Sequence, residues 1–248
     1  MCGRRKVDRE FPELKLHYGD MEWDLVEKIA QAMPPDIMVQ LHNNGEPLLY
    51  PRFGEAVRLF KQNENIVNIV TNGKLLMERF DEIVDNLDTL SISIFEKDEE
   101  SEDQLTIIKS FLNRKGDHKP FTSLRLIGDV DPEPYRQLKT LIIRRVLHAP
   151  MGSFNYHKQK PTIPEIGICL DFLNHLAINS NGDVSICVRF DPKRLGVLGN
   201  IKNQSLSEIW HGVKRQEWKI LHVDGKREQI PLCSYCHYWG VPTGFDSL

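Results

Sequence analysis

Residues Ile66-Val67-Asn68-Ile69-Val70-Thr71-Asn72-Gly73 decide the fold, because an apolar run of strand length ends here in a polar turn. β-Branched residues favour an extended strand, and Asn72-Gly73 supplies the residue types that end a strand in a turn. Apolar residues recur at helical spacing on both sides of this strand, from Phe53 to Phe60 and from Leu76 to Leu87. A buried strand between amphipathic helices is typical of βα units around a parallel sheet.

The same alternation extends from residue 20 to about residue 150. Strands are predicted at 37–41, 66–70, 90–94, 123–127 and 145–148. Helices are predicted at 20–33, 51–60, 76–87, 103–114 and 134–143. The sequence therefore predicts an α/β fold with five strands and five helices. Because the series begins with a helix, we expect that the strand that would precede it is missing.

The composition excludes several classes of protein. The chain has 248 residues, 40% of them apolar, which is enough to form a buried core. Its net charge of −3 and its short basic clusters predict no nucleic-acid partner. No apolar run approaches the roughly 20 residues of a membrane span, and the first residues lack a signal-peptide pattern. We therefore expect a cytoplasmic protein with no membrane partner.

A loop rich in proline and aromatic residues separates two predicted domains, at 1–150 and at 165–248. In the second domain, Asn181-Gly182 predicts the tight turn of a β-hairpin. Ser205 and Glu208 form the pattern of a helix-capping box. The second domain is therefore expected to be a small α+β unit.

Four of the five cysteines lie in this second domain. Cys169 and Cys187 follow the spacing C-x12-G-x4-C, in which the glycine is Gly182, and Cys233 and Cys236 follow the spacing C-x2-C. In a chain without a signal peptide, such thiols are better explained as metal ligands than as disulfides. Four thiolates suit either a tetrahedral zinc ion or a [4Fe-4S] cluster, and the spacing alone leaves both open.

Polar residues stand at the ends of the predicted strands or within them. Gly45 and Glu46 follow the first strand, Asn72 follows the second, and Ser93 and Arg125 lie in later strands. Chemistry collects at the carboxyl ends of parallel strands in a βα barrel, and a carboxylate there can accept hydrogen bonds from a cationic amine. Each residue also has an ordinary explanation, as part of a turn or of a satisfied structural hydrogen bond.

Several short motifs occur in an order that resembles one enzyme family. Met1-Cys2-Gly3 resembles the end of a C-x3-C-x-M-C motif, 44–49 resembles a GGEP motif, and 70–73 resembles a TNG motif. The C-terminal cysteines, with 205–210 between them, resemble a SPASM/twitch domain. Over essentially its whole length the chain is similar to radical S-adenosylmethionine (radical SAM) enzymes with an auxiliary iron-sulfur domain.

This resemblance implies a partial (βα)6 TIM-like barrel, S-adenosylmethionine as a cofactor, and two [4Fe-4S] clusters, one radical SAM cluster and one auxiliary cluster. It implies that Gly45 and Glu46 hold the methionyl amine. It places Asn72 and Ser93 near the ribose or carboxylate, and Arg125 at the carboxylate. The implied cluster ligands are Cys2 for the radical SAM cluster and Cys169, Cys187, Cys233 and Cys236 for the auxiliary cluster.

The implied chemistry is hydrogen abstraction by a 5′-deoxyadenosyl radical, with an electron from a flavodoxin- or ferredoxin-type reductant. We expect an oxidoreductase or a modifying enzyme that acts on a small molecule or a peptide. The sequence defines no catalytic base, although Asp98, His148 and Arg189 are candidates. The alternative is a non-catalytic protein whose four cysteines bind zinc and whose α/β domain binds a ligand or partner.

The chain departs from the family pattern at two places. It starts at the last of three expected cysteines, Cys2, so we expect a fragment begun at an internal methionine and inactive by itself. We also expect it to be less soluble than its parent, because the strand at 37–41 would have an open edge. Pro242 stands where full SPASM domains have a further cysteine, so one auxiliary cluster is expected.

Overall fold

The structure is a computed structural model that describes residues 12–14, 19–43, 45–145, 169–188 and 191–236. These residues separate into two compact units. The first contains 26–145, and the second contains 12–14, 19–25, 169–188 and 191–236. None of the helices in these ranges has the length and apolar character needed to cross a lipid bilayer.

The first unit is built on a five-stranded parallel sheet whose strands follow one another in chain order. The strands are β1 (Met38–Gln40), β2 (Ile66–Thr71), β3 (Thr89–Phe95), β4 (Phe121–Ile127) and β5 (Leu141–Arg145). The helices that precede or connect them are α1 (Trp23–Ala32), α2 (Phe53–Gln62), α3 (Phe80–Ile83), α4 (Ser101–Lys115) and α5 (Glu133–Arg136). The predicted α/β fold with a parallel sheet is confirmed.

Alternate residues of each strand point to opposite sides of the sheet, so its two faces differ in chemistry. One face is apolar and buried, and consists of Val67, Ile69, Leu90, Ile92, Ile94, Leu124 and Leu126. Phe60 of α2 and Phe111 of α4 are buried as well, and the ring of Phe111 meets that of Phe80 edge-on, 5.6 Å between centroids. Removal of this surface from water is the main source of stability for the first unit.

The opposite face of the sheet carries the polar side chains of the strands, and it is called the polar face below. Ser91 and Ser123 are register partners on β3 and β4, and their hydroxyl groups share a hydrogen bond of 3.0 Å. Two residues further along the same strands, Ser93 is the register partner of Arg125. Two of the candidate site residues therefore lie side by side on this face.

Two of the predicted helices are shorter in the structure. The helix predicted at 134–143 ends early, Lys139 has a φ of +46°, and Leu141 already begins β5. The prediction of helix at 141–143 was therefore wrong, and positions 146–148 of the predicted last strand lie outside the described residues. The helix predicted at 76–87 is reduced to α3, and Asp85 beyond it has a φ of +60°.

The second unit contains a three-stranded antiparallel sheet of β6 (Ala177–Ile178), β7 (Asp183–Ser185) and β8 (Val197–Asn200). Its helices are α6 (Leu170–Asn174), α7 (Leu206–His211) and α8 (Val213–Val223). The predicted hairpin is confirmed, and Gly182 in its turn has a φ of +88°. The Ser205 and Glu208 side chains make both hydrogen bonds of the predicted capping box. Strand β8 and helix α8 were not predicted.

Asp88 fastens β2 to the turn before β3. Its Oδ2 accepts hydrogen bonds from the Val67 N–H at 2.9 Å and from Lys61 Nζ at 2.7 Å. Burial opposes ionisation of this carboxyl, but Lys61, the Val67 N–H and Lys119 outweigh it and lower its pKa. Asp88→Ala should therefore lower the free energy of unfolding at pH 7 by about 1–3 kcal/mol.

The pH dependence of this effect has a defined sign. Because the folded-state pKa of Asp88 lies below its unfolded value of about 4, the contribution is complete above that value and is lost as the pH falls through the folded pKa. Urea denaturation should show the difference between the wild type and Asp88→Ala narrowing below about pH 4. Asp81→Ala is the control, since that side chain is 90% exposed, and it should change little. A pH-independent difference would contradict this account.

Candidate functional site

The carboxylate of Glu46 joins the carboxyl ends of β1 and β2. It caps the short 3-10 helix Pro47–Leu49, where Oε1 accepts the Leu48 N–H at 3.1 Å. Oε1 also accepts the Thr71 hydroxyl at 2.6 Å, and Oε2 accepts the Asn72 N–H at 2.8 Å. Described residues thus use three of the roughly four lone-pair positions of a carboxylate. Glu46 therefore organises the turn, and one acceptor position of its carboxylate is left over by these three donors.

Gly45 precedes this carboxylate and leaves its backbone accessible. A Cβ atom at Gly45 would meet nothing within 4 Å, so a ligand could approach the main chain closely here. Asn44, the preceding residue of the same motif, lies outside the described residues.

The turn after β2 allows no other residue at Gly73. Its φ is +76°, and a Cβ atom there would lie 2.7 Å from Cγ2 of Ile92. The side chain of Asn72 closes the turn, since its Oδ1 accepts the Lys74 N–H at 2.9 Å. Gln104 of α4, which the sequence analysis missed, is buried and donates from Nε2 to the carbonyls of Asn72 at 2.6 Å and Ser93 at 3.0 Å. The ends of β2 and β3 are therefore fixed relative to each other.

Basic side chains gather on the polar face of the sheet. Nδ1 of His42 accepts the Val70 N–H at 3.1 Å, which continues the pairing of β1 with β2. Burial and the charge of Arg125 lower the pKa of His42 to about 4, so this imidazole is neutral. Burial and the charge of Arg145 lower the pKa of Arg125 to about 10. The buried Nε of Arg125 has no hydrogen-bond partner in the part of the chain that the structure describes.

Of the three candidate bases, only Asp98 lies within the described residues; His148 and Arg189 lie outside them. Asp98 accepts the Glu100 N–H at 3.2 Å and contacts Lys74 Nζ at 3.4 Å. Burial opposes its ionisation, but these two partners outweigh it and lower the pKa of Asp98. A carboxylate that is paired and acidic is poorly suited to take a proton near neutral pH.

The C-terminal cysteines come from three separate segments of the second unit. Cys169 precedes the first turn of α6, Cys187 follows β7, and Cys233 and Cys236 flank a 3-10 turn in which the Cys236 N–H donates to the Cys233 carbonyl at 3.0 Å. Cys2 lies outside the described residues. Each thiol is thus placed by its own local structure.

The four thiols converge. Three of them, Cys169, Cys187 and Cys233, pack against one apolar core cluster, which consists of Phe172, Ile186, Trp218, Ile230 and Leu232. Burial raises the pKa of Cys233, and the charges of Cys169, Cys236 and Cys187 raise it further, so all three lie near it. The four described cysteines are free of disulfides. Unbridged thiols that repel one another as thiolates are stabilised by a bound cation.

The donor set fits an iron-sulfur cluster, which is held by four thiolates. Within the described ranges, no group of three or more His, Cys, Asp or Glu side chains is arranged around a single metal ion. Four thiolates suit a tetrahedral zinc ion as well.

Basic residues surround the thiols. Nη1 of Arg227 donates to the carbonyls of Cys233 at 3.1 Å and Cys236 at 3.0 Å, and thereby closes the turn between them. Nε2 of His222 lies 3.7 Å from Sγ of Cys233, and its ring stacks on Phe172 with 4.5 Å between centroids. Burial and the charge of Arg227 lower the pKa of His222 to about 4. The sequence analysis missed both residues, because neither belongs to the cysteine motif.

Comparison with known proteins agrees with this geometry. Residues 169–237 match the family model of the SPASM iron-sulfur cluster-binding domain. A curated relative, the tungsten-containing aldehyde ferredoxin oxidoreductase cofactor-modifying protein of Pyrococcus furiosus, is 29% identical over 168 residues, which is 59% of this chain. The matched region spans 46% of that protein, about half of its length.

Two solved structures share the fold. BtrN, in complex with AdoMet and 2-DOIA, aligns with a TM-score of 0.60 and 18% identity over 92% of this chain and 84% of that chain. Streptococcus suis SuiB, bound to S-adenosylmethionine, aligns with a TM-score of 0.58 and 13% identity over 86% of this chain and 64% of that chain. The molecule is an α/β protein with a cysteine-rich segment that matches the model of an iron-sulfur cluster-binding domain. Its predicted resemblance to radical SAM enzymes with a SPASM domain is confirmed.

Glu46→Gln tests the role of the carboxylate in the turn. An amide has one acceptor oxygen, and its NH2 group must face whichever donors that oxygen does not serve. These are the Asn72 N–H in one orientation of the amide, and the Thr71 hydroxyl and Leu48 N–H in the other. We expect the free energy of unfolding, measured by urea denaturation, to fall by about 1–3 kcal/mol. Glu55→Gln, which removes an exposed ion pair, is the control and should show no resolvable change. Equal stability of the two variants would contradict the assignment.

Proposed function

We propose that this protein is a radical SAM enzyme that holds one auxiliary [4Fe-4S] cluster through Cys169, Cys187, Cys233 and Cys236. The observation that carries the proposal is the convergence of these thiols in the segment that matches the SPASM family model. Arg227 would stabilise the turn that carries two of the ligands, because it donates to the carbonyls of Cys233 and Cys236. Cys2 is proposed as a ligand of the radical SAM cluster.

The carboxyl edge of the parallel sheet is the proposed site for S-adenosylmethionine. Oε2 of Glu46 and the open backbone of Gly45 would hold the methionyl amine. Asn72 and Ser93 would lie near the ribose or carboxylate, and the guanidinium of Arg125, whose buried Nε has no hydrogen-bond partner among the described residues, would bind the carboxylate. This arrangement pairs the ammonium group and the carboxylate of the methionyl moiety with groups of opposite charge.

With its clusters bound, such an enzyme would use one electron to cleave the sulfonium into methionine and a 5′-deoxyadenosyl radical, which would abstract hydrogen from a substrate. We propose a flavodoxin- or ferredoxin-type protein as the electron donor. A small molecule or a peptide is the proposed substrate, and oxidation or modification of it is the proposed outcome. BtrN was solved with 2-DOIA and the Pyrococcus furiosus relative is named for cofactor modification, which supports this range.

We further propose that the parallel sheet is the core of a partial (βα)6 TIM-like barrel. The barrel would belong to a domain at 1–150, and the SPASM/twitch domain would occupy 165–248. The order of the five strands and the polar side of the sheet support this arrangement, because chemistry in such barrels lies at the carboxyl ends of the strands.

Anaerobic reconstitution with iron and sulfide tests the cysteine centre. We expect about four iron and four sulfide per auxiliary site, with broad brown absorbance and a reducible paramagnetic signal. Cys233→Ser should abolish most of this iron, because it removes one of four thiolates. Ser234→Ala, in the same turn, is the control and should leave iron loading unchanged. A colourless protein with one zinc per chain would support the alternative of a zinc-binding module instead.

Binding of S-adenosylmethionine tests the site on the sheet. Arg125→Gln should weaken binding about tenfold or more, because it removes a charge-assisted hydrogen bond to the carboxylate. The matched control is Arg144→Gln, which removes an exposed arginine from β5 and should change binding by less than about twofold. Isothermal titration calorimetry measures both. Unchanged affinity in Arg125→Gln would remove Arg125 from the proposed site.

A further inference from the structure

A buried histidine of the second unit contacts one thiol of the cysteine centre directly. His222 lies near the end of α8, and only 1% of its surface is exposed. Its Nε2 is 3.7 Å from Sγ of Cys233, which is within hydrogen-bond distance for the large sulfur atom. Since 10 residues separate the two along the chain, tertiary packing brings the imidazole to the thiol.

The imidazole is held in place by contacts that do not involve the thiol. Its ring stacks on Phe172, with 4.5 Å between centroids and 27° between the ring planes. Phe172 belongs to α6, and Arg215 of α8 donates to the carbonyls of Phe172 and Leu173 at 3.2 and 3.1 Å. The two helices that carry the stacked rings are therefore tied to each other, and Nε2 is positioned beside Cys233 by the packing of the unit.

The direction of this hydrogen bond follows from the chemistry of a metal ligand. A cysteine that binds iron is a thiolate, so its sulfur has no proton and can only accept. An imidazole nitrogen that faces it must carry a proton and donate. Such a donor draws negative charge from the sulfur, and it stabilises the reduced cluster more than the oxidised one because the reduced cluster carries one more electron. Hydrogen bonds to the sulfur atoms are among the factors that set the reduction potential of an iron-sulfur cluster.

We propose that Nε2 of His222 donates a hydrogen bond to the iron-bound thiolate of Cys233 and thereby raises the reduction potential of the auxiliary cluster. The inference rests on the proposed function, in which Cys233 is one of the four ligands of that cluster. His222 acts through a ligand and is not itself a ligand. Its loss should therefore change the energy of the added electron and leave the amount of bound iron unchanged.

A redox titration followed by electron paramagnetic resonance tests this role on the whole chain after anaerobic reconstitution. The signal that Cys233→Ser removes identifies the auxiliary cluster. His222→Phe keeps a ring that can stack on Phe172 but has no donor, so reduction should become about tenfold less favourable, a fall of about 59 mV for a one-electron couple. His222→Gln restores an amide donor and should lie between the two. His211→Phe, at an exposed histidine of α7, is the control and should leave the potential unchanged.

A second measurement uses the wild type and does not depend on the stability of a variant. Pulsed electron paramagnetic resonance of the reduced auxiliary cluster, in protein whose histidine nitrogens are isotopically labelled, should show a weak nitrogen coupling. The hydrogen bond from Nε2 to the sulfur carries a small part of the unpaired spin onto the ring. The same coupling should remain in His211→Phe.

The outcomes separate this inference from the proposed function. Equal potentials in the wild type and His222→Phe, or absence of the nitrogen coupling, would overturn the inference while the auxiliary cluster stands. If His222→Phe fails to hold a cluster, the coupling in the wild type decides. A wild type that takes up zinc, or that binds no iron, would overturn the inference together with the proposed function.

Discussion

The interaction on which the candidate site depends is the acceptance of three donors by the carboxylate of Glu46. One donor belongs to its own helical turn, and the other two, from Thr71 and Asn72, belong to the end of the next strand. This carboxylate therefore ties the turn that follows β1 to the end of β2. Gln104 ties the end of β3 to the end of β2 in a similar way, since it donates to the carbonyls of Asn72 and Ser93. Two side chains thus align the ends of three strands into one edge, where a ligand can meet groups from all of them.

The sheet divides stability and function between its faces. Its apolar face is buried against helices and supplies the hydrophobic stabilisation. On the polar face, Asn68 pairs with Thr89 and Ser91 pairs with Ser123, so these groups satisfy one another. Arg125 departs from this rule, since its buried Nε finds no acceptor within the described chain. A buried donor that is left unsatisfied is a cost to folding, and a ligand that accepts from it recovers that cost on binding.

The sequence predicts those parts of the molecule whose causes are local. Strand β2, the Asn181-Gly182 hairpin and the capping box at Ser205 follow from side-chain alternation and turn chemistry within a few residues. The error at 134–143 has a local cause as well, because Leu141-Ile142-Ile143 fits a helix and a strand equally by periodicity. Length and β-branching favour the strand. By contrast, no short window of sequence indicates that Gln104 binds carbonyls of two strands, or that Arg145 lies beside Arg125, because both depend on tertiary register.

The cysteine centre depends both on local sequence patterns and on tertiary contacts. Motif spacing identifies the four thiols, but their convergence depends on contacts between segments far apart in the chain. Arg215 donates to the carbonyls of Phe172 and Leu173 at 3.2 and 3.1 Å and so fixes α6, which follows Cys169, against α8. Arg227 closes the Cys233–Cys236 turn by donating to the carbonyls of both cysteines. Hydrogen bonds that involve no thiol thus position the segments that carry Cys169, Cys233 and Cys236. Such preorganisation would lower the entropic cost of binding a cluster at these thiols. It gives a reason for the position of Arg215 and Arg227 close to the cysteines, although neither belongs to the cysteine motif.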